Sequence, residues 1–344
     1  MAIAPKYLYE EEEAARLVDQ YLKEKNWKKI EELLNHENAN YKRATTEVLT
    51  KYYVNKKEWS KIADLLKTKD VDIKTRVIIA LRNAAATVDI TAIVPALNNC
   101  LSDSEAFVRE TAGSTLTCYY MNTNQWEKIK DLLTHNIFED FLRLKNPDVR
   151  KGVLDAVSSG ALGGRDISPI IPNLKKALYD DASTMKVAEI FAYLLLDKKN
   201  SEVARAILEN GLTNKNEHVR ESCAWAFLTA ADMGVLISLA ISSLENALSD
   251  TSKRVRIETA AALARHCVNK DEWKKIKQFL SNKDAAIRAG AANGLYRAAV
   301  RGMDITPVLQ DLEKALDDKN KDVKRYVSLA LEEYKRRGIV GSAP

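Results

Sequence analysis

The chain has 344 residues, 46% hydrophobic and 29% charged, with 53 basic against 48 acidic side chains and a formal charge of +5. So slight an excess on so long a chain does not mark a nucleic-acid protein, where clustering matters more than the total. No segment approaches the ~18 unbroken apolar residues of a membrane span. The opening residues lack the apolar stretch of a secretory signal, and Cys100, Cys118, Cys223 and Cys267 show no CxxC spacing, so a reducing cytoplasm is the expected location.

In chain order, residues 1–23, with an acidic run at Glu10–Glu13, are expected to form an N-terminal capping helix. From residue 24 to 337 one signature recurs nine times, an apolar residue followed at once by a basic one, opening a helical run. The pairs are Tyr41-Lys42, Ile73-Lys74, Val108-Arg109, Val149-Arg150, Met185-Lys186, Val219-Arg220, Val255-Arg256, Ile287-Arg288 and Val323-Lys324. Successive anchors lie 32, 35, 41, 36, 34, 36, 32 and 36 residues apart. Such a period predicts stacked two-helix units rather than a closed globule. After the closing basic run Lys335–Arg337, residues 338–344 are expected to fray.

Within a unit, the anchor opens a second helix whose small and apolar residues recur at helical spacing, as in Val255, Thr259, Ala262, Leu263 and His266. Five residues earlier stands Asp or Asn in six units (Asp103, Asp180, Asn214, Asp250, Asn282, Asp318), suited to the turn entering that helix. First helices come in two alternating spellings. One carries Trp and Ile three apart, at Trp27, Trp59, Trp126 and Trp273; the other reads Asp-Ile-Ser/Thr, at Asp89, Asp166 and Asp304. Ser168 and Thr306, each before Pro, are expected N-caps. Asp166 and Asp304 lie 138 residues apart, two steps of 69, so the deeper period is a pair of units, its spelling lost near residues 201 and 235.

Paired helices with Asp in the intervening turn, and Val-Arg followed by Ala and Leu, resemble the HEAT-repeat family, including the HEAT-like repeats of bilin lyases. The resemblance covers residues 24 to 337. It implies an all-α, right-handed α-solenoid of about nine antiparallel helix pairs, one domain over residues 1–344, with second helices on the concave face. It further implies that the turn Asp and helix Arg form a ladder, making the nine basic anchor residues chiefly structural. Armadillo repeats would need a third short helix per unit, and none is evident.

Some proteins of this fold class are enzymes. Deoxyhypusine hydroxylases bind two irons through several His-Glu pairs; here the pair occurs once, at His36-Glu37, and His135, His218 and His266 stand apart, so no metal site is expected. HEAT-like DNA glycosylases use concave aromatic and acidic residues, for which Trp225 and Asp232 are the only suggestion. No bilin-handling residue of the lyases transfers, and no phosphate loop, Ser-His-Asp order or HExxH occurs. Gly160 or Gly163 is expected to end a helix. Neither catalysis nor a cofactor is expected.

Counted from each anchor, positions 2, 6, 9 and 13 point away from the buried stripe. Most units place polar or small residues there, but two central ones place Val187, Phe191, Leu194, Trp225 and Leu228. Large apolar residues on a nominally wet face mark either a ligand groove or tighter local packing. The longest unit carries an insertion with His135, Phe138 and Phe141, read either as a binding edge or as a plain helix extension. The expected function is a monomeric, non-enzymatic scaffold that takes a partner protein's peptide or helix on the concave face, away from membranes. The alternatives are a nucleic-acid-binding or DNA-repair protein, or a bilin-lyase-like chaperone.

Overall fold

The computed structural model describes residues 6–134, 147–179 and 183–338. Among the described residues are nineteen α-helices and four short 3-10 turns, with no strand. The helices are α1 (Lys6–Lys23), α2 (Trp27–Leu34), α3 (Ala39–Lys56), α4 (Trp59–Leu66), α5 (Val71–Ala84), α6 (Val94–Cys100), α7 (Ala106–Asn122), α8 (Trp126–Thr134) and α9 (Pro147–Leu162). They continue as α10 (Ile171–Ala177), α11 (Thr184–Leu194), α12 (Ser201–Gly211), α13 (Glu217–Asp232), α14 (Ile241–Ala247), α15 (Lys253–Asn269), α16 (Trp273–Leu280), α17 (Ala285–Val300), α18 (Leu309–Ala315) and α19 (Lys321–Arg336). The chain forms two compact units, Met1–Gly160 and Ala161–Pro344. His135, Phe138, Phe141, Asp180 and residues 339–344 lie outside the described residues.

In the first unit α1, α3, α5 and α7 pack in succession, while α2, α4 and α6 each pair with the long helix that follows. In the second unit α11, α13, α15, α17 and α19 make the same row, paired with α10, α12, α14, α16 and α18. The anchors supply its core: Val108, Val149, Val219, Val255 and Val323 are buried. Met185, at 47% exposure, and the half-buried Tyr41 are the exceptions. In α11 the buried stripe runs instead through Thr184, Val187, Phe191 and Leu194, so the register assigned from Met185-Lys186 is two residues out.

The two spellings of the first helix correspond to two ways of entering it. Each Trp opens its helix, and two residues earlier a non-glycine residue takes the left-handed conformation: Lys25, Lys57, Asn124 and Asp271, with φ between 54° and 56°. The buried contact comes from the Ile a turn later (Ile30, Ile62, Ile129, Ile276), while Trp27 itself is exposed. The other spelling enters through a 3-10 turn, Thr91–Ile93, Ser168–Ile170 or Thr306–Val308. There the Asp is the capping residue: Asp166 Oδ1 accepts from Ser168 N at 3.0 Å, and Asp304 Oδ1 from Thr306 N at 2.8 Å. Ser168 and Thr306 are therefore the first residues of the turn, correcting their assignment as N-caps. Gly164, not Gly160 or Gly163, takes the left-handed φ of 75° after α9. The drifted segment near residue 235 keeps this construction, with Gly234 at φ 84° and a 3-10 turn at Ser238–Ala240.

Candidate interaction surface

The basic residue after six of the nine anchors is taken up by the stack. Arg220 Nε donates to Asp250 at 2.7 Å, Arg256 Nε to Asp284 at 2.7 Å and Arg288 Nε to Asp318 at 2.6 Å. Lys42–Asp70, Lys74–Asp103 and Arg109–Asp148 form the same rung in the first unit. Each Arg also turns a second nitrogen back onto carbonyls of its own turn: Arg256 onto Asp250 and Thr251, Arg288 onto Asn282 and Lys283. One guanidinium thus closes its own turn and grips the next, leaving no fork for a phosphate. Hydrogen bonding to these arginines holds the Asp250 and Asp318 carboxyls below their usual range, against the cost of burial.

Both rows of second helices bend inward. In the second unit α13 and α17 meet across α15. Arg297 of α17 reaches Asp232 of α13, and Lys253 of α15 reaches Asp322 of α19 at 2.5 Å. In the first unit Arg76 of α5 pairs with Glu47 of α3 at 3.3 Å and approaches Glu11 of α1 at 4.0 Å. Alternate helices can touch only on the inner side of a curved row, so the second helices line the concave side of each unit. Close approach depends on small residues. A Cβ on Gly290 would stand 2.3 Å from the Ile257 carbonyl oxygen.

That tight packing corrects most of the apolar groove read from the sequence. Val187, Phe191, Leu194 and Leu228 are buried in the stack. The first three belong to the shifted stripe of α11, and Leu228 lies on α13, which is packed by both α11 and α15. Trp225 differs. It stays partly exposed, one turn from the partly exposed Glu221 on the same face of α13.

Two turns beyond Trp225 on α13, at Asp232, lies a charged cluster that the sequence did not announce. The Asp232 carboxylate, 6% exposed, accepts from Arg265 Nε at 3.0 Å and from Arg297. Arg265, 3% exposed, also donates to Asn269, and the Asn269 amide donates to the Ala231 carbonyl at 2.9 Å. Burial lowers the Arg265 pKa, and the positive neighbours Arg301 and Arg297 act in the same direction. Glu258, on α15, is pushed up to about 7 by burial and by Glu221, against the pull of Arg297. Its Oε2 is buried without a hydrogen-bond partner. The available signal was a set of charged residues at Glu258, Arg265 and Arg297 inside otherwise Ala-rich helices.

Two other surfaces stand out. A cavity of about 290 Å³ between α4 and α6 is floored by the Lys74–Asp103 rung, with Cys100 in its wall, its thiol pushed up to about 11 by burial. Leu236 stands where sister turns carry a capping Asp, and with Leu239 it is exposed to solvent. Among the described residues no group of His, Cys, Asp and Glu could hold a metal ion, and no helix is long and apolar enough to cross a membrane.

Residues 241–335 match the family described as HEAT repeats. No curated protein matches the chain. Among solved structures, Kap95p bound to RanGDP superposes with a TM-score of 0.51 at 12% identity, covering 87% of this chain and 43% of that one. The Kap95:Nup1 complex gives 0.53 at 12%, covering 94% and 47%. The chain thus spans less than half the length of these structures, and the likeness is one of fold. Human deoxyhypusine hydroxylase in complex with glycerol aligns over 83% of this chain and 99% of that one at 15% identity, with a TM-score of 0.31, too low to bear on activity. Residues 241–335 thus carry HEAT repeats, and the same helix pair with its rung recurs in both units of the chain.

Proposed function

We propose that the chain is a non-enzymatic protein-interaction scaffold whose second-unit inner row, around Trp225, holds a segment of a partner protein. The observation that carries this reading is Trp225 itself. It is a large aromatic residue left partly exposed on an inner face where Phe191, Leu194 and Leu228 are packed away, and Trp is the side chain most enriched at binding hot spots. Kap95p, of like fold, is described with RanGDP and with Nup1, which supports a protein as the partner. On this reading the chain acts as a cytoplasmic monomer without a resident cofactor.

The test is affinity capture from native-host extract with the wild-type chain and Trp225→Ala, alongside urea unfolding of both. A captured protein that depends on Trp225, with unfolding changed by less than about 1 kcal/mol, supports the reading. Capture that ignores the substitution, or that nuclease abolishes, overturns it. A nucleic-acid ligand would also betray itself through a steep loss of affinity with salt.

A further inference from the structure

Two guanidinium groups bond one carboxylate on the inner face of the second unit, and a third acts on one of them. Arg265 is spent: it is nearly fully buried, bonded to Asp232 and Asn269. Arg297 gives one nitrogen to Asp232 and remains 30% exposed. Arg301, the C-cap residue of α17, is exposed and makes no ion pair among the described residues. Both act on Arg265 strongly enough to weigh on its protonation, so the three lie within electrostatic reach of one another. Two arginines on the single Asp232 charge, with Arg301 within electrostatic reach of Arg265, leave an excess of cation at a partly desolvated site, where an added anion gains more than it would in water.

Trp225 is bracketed by this cluster. Asp232 lies two turns beyond it on α13 and Glu221 one turn before it. Arg297 spans that interval, bonding Asp232 while also feeling Glu258, which in turn feels Glu221. Trp225 thus shares a face of α13 with the carboxylate that Arg297 bonds, and Trp and Arg are the side chains most enriched at interface anchors.

We propose that Arg297 and Arg301, backed by Arg265, receive a carboxylate from an acidic segment of a partner protein whose neighbouring apolar side chain rests on Trp225. This rests on the scaffold reading above and gives the partner its chemistry. A planar guanidinium pair suits a carboxylate, which it can hold through two parallel hydrogen bonds. A nucleic-acid strand fits less well, because its phosphates need a continuing basic track. Here the face beyond Trp225 carries Glu221, Glu258 and, on α19, Asp322, so a polyanion would meet negative charge within a few residues.

Glu258 ties the site to pH. The charged groups facing it are Glu221 from α13 and Arg297 from α17, and Arg254 of its own helix approaches Glu221 at 3.8 Å. With Glu258 protonated, Arg297 has one negative neighbour fewer, so an incoming carboxylate binds more tightly below neutral pH than above it.

The experiment follows the Trp225 indole N–H of the full-length, ¹⁵N-labelled chain by NMR at low salt, the signal being assigned with Trp225→Phe. The probe is a short, acetylated and amidated peptide of glutamates flanking two leucines; its glutamine counterpart and a single-stranded oligothymidylate serve as comparisons. The glutamate peptide should shift the Trp225 signal and the glutamine peptide should not. Arg301→Gln and Arg297→Gln should each weaken binding by about tenfold. Affinity should fall between pH 6 and pH 8, and Glu258→Gln should remove most of that fall. Arg301 is exposed and makes no ion pair among the described residues, so its variant tests the site even if Arg297→Gln disturbs the fold. No Trp225 shift at millimolar glutamate peptide, equal binding of the glutamine peptide, or tighter binding of the oligonucleotide overturns the proposal. Trp225-dependent protein capture that persists unchanged in Arg301→Gln overturns the carboxylate site alone and leaves the scaffold reading standing; capture indifferent to Trp225 removes both.

Discussion

Arg297 of α17 bonds Asp232 of α13 across the whole width of α15, and Arg265 of α15 lies on the other oxygen of the same carboxylate. One acidic side chain therefore ties three successive second helices together at the inner edge of the curve. Its charge is also what keeps a nearly dry guanidinium in place.

Removing that carboxylate should be costly. Asp232→Ala leaves Arg265 buried without its counter-ion and is expected to lower the unfolding free energy by about 3–5 kcal/mol. Urea denaturation at neutral pH measures this directly. A loss below about 1 kcal/mol would mean that water reaches Arg265 readily.

Two glycine substitutions should separate close packing from backbone conformation. In Gly290→Ala the new Cβ meets the Ile257 carbonyl oxygen at 2.3 Å and the Ala260 Cβ at 2.7 Å, and backbone cannot swing aside. A destabilisation of about 3 kcal/mol is expected. Gly164 has open space around its Cβ position but a φ of 75°, so Gly164→Ala should cost only about 1 kcal/mol, through strain alone. Equal thermal shifts in the two variants would contradict this division.

The Trp-type entries offer the opposite change. Lys57 holds φ 56° before α4, a conformation that a side chain disfavours. Lys57→Gly should gain up to about 1 kcal/mol, reduced by the greater freedom of glycine in the unfolded chain. Chemical denaturation would show a raised midpoint with an unchanged slope.

Stability should fall as pH rises from about 4.5 towards 7. Glu258 is raised from 4.5 to about 7 in the folded protein, so between those values the fold keeps a proton that the unfolded chain has released. The folded state then binds more protons, and its advantage shrinks with rising pH up to about 7. The span corresponds to at most about 3 kcal/mol. Glu258→Gln should flatten this part of the pH–stability curve; a wild-type curve already flat between pH 5 and 7 would show that the carboxyl is hydrated.

Much of the architecture was legible because the buried stripe repeats at helical spacing and each turn announces itself with Asp or Asn. The rung from Arg288 to Asp318 follows from that regularity. The reading failed where local spelling was used without its neighbours. Met185-Lys186 looks like an anchor, yet Thr184, Val187, Phe191 and Leu194 make the better stripe, and packing selected them. Leu228 was lost for another reason: the wet sector of a second helix depends on how sharply the row curves, and curvature arises from contacts between helices far apart in sequence. The Asp232 cluster was invisible on the same ground, since its members lie 33 and 65 residues from one another's bonding partners.

The double grip of each arginine bears on where this protein can be cut. Arg256 closes its own turn through the Asp250 and Thr251 carbonyls while its Nε reaches forward to Asp284. A fragment ending between α16 and α17 would keep the guanidinium and lose the carboxylate, and one beginning there would present an Asp without its cation. Neither piece has a clean end. Expression of shortened forms should therefore succeed only when the last retained turn carries its rung intact or when the exposed arginine is replaced, so trimming this chain is a matter of redesigning a terminus rather than choosing a loop.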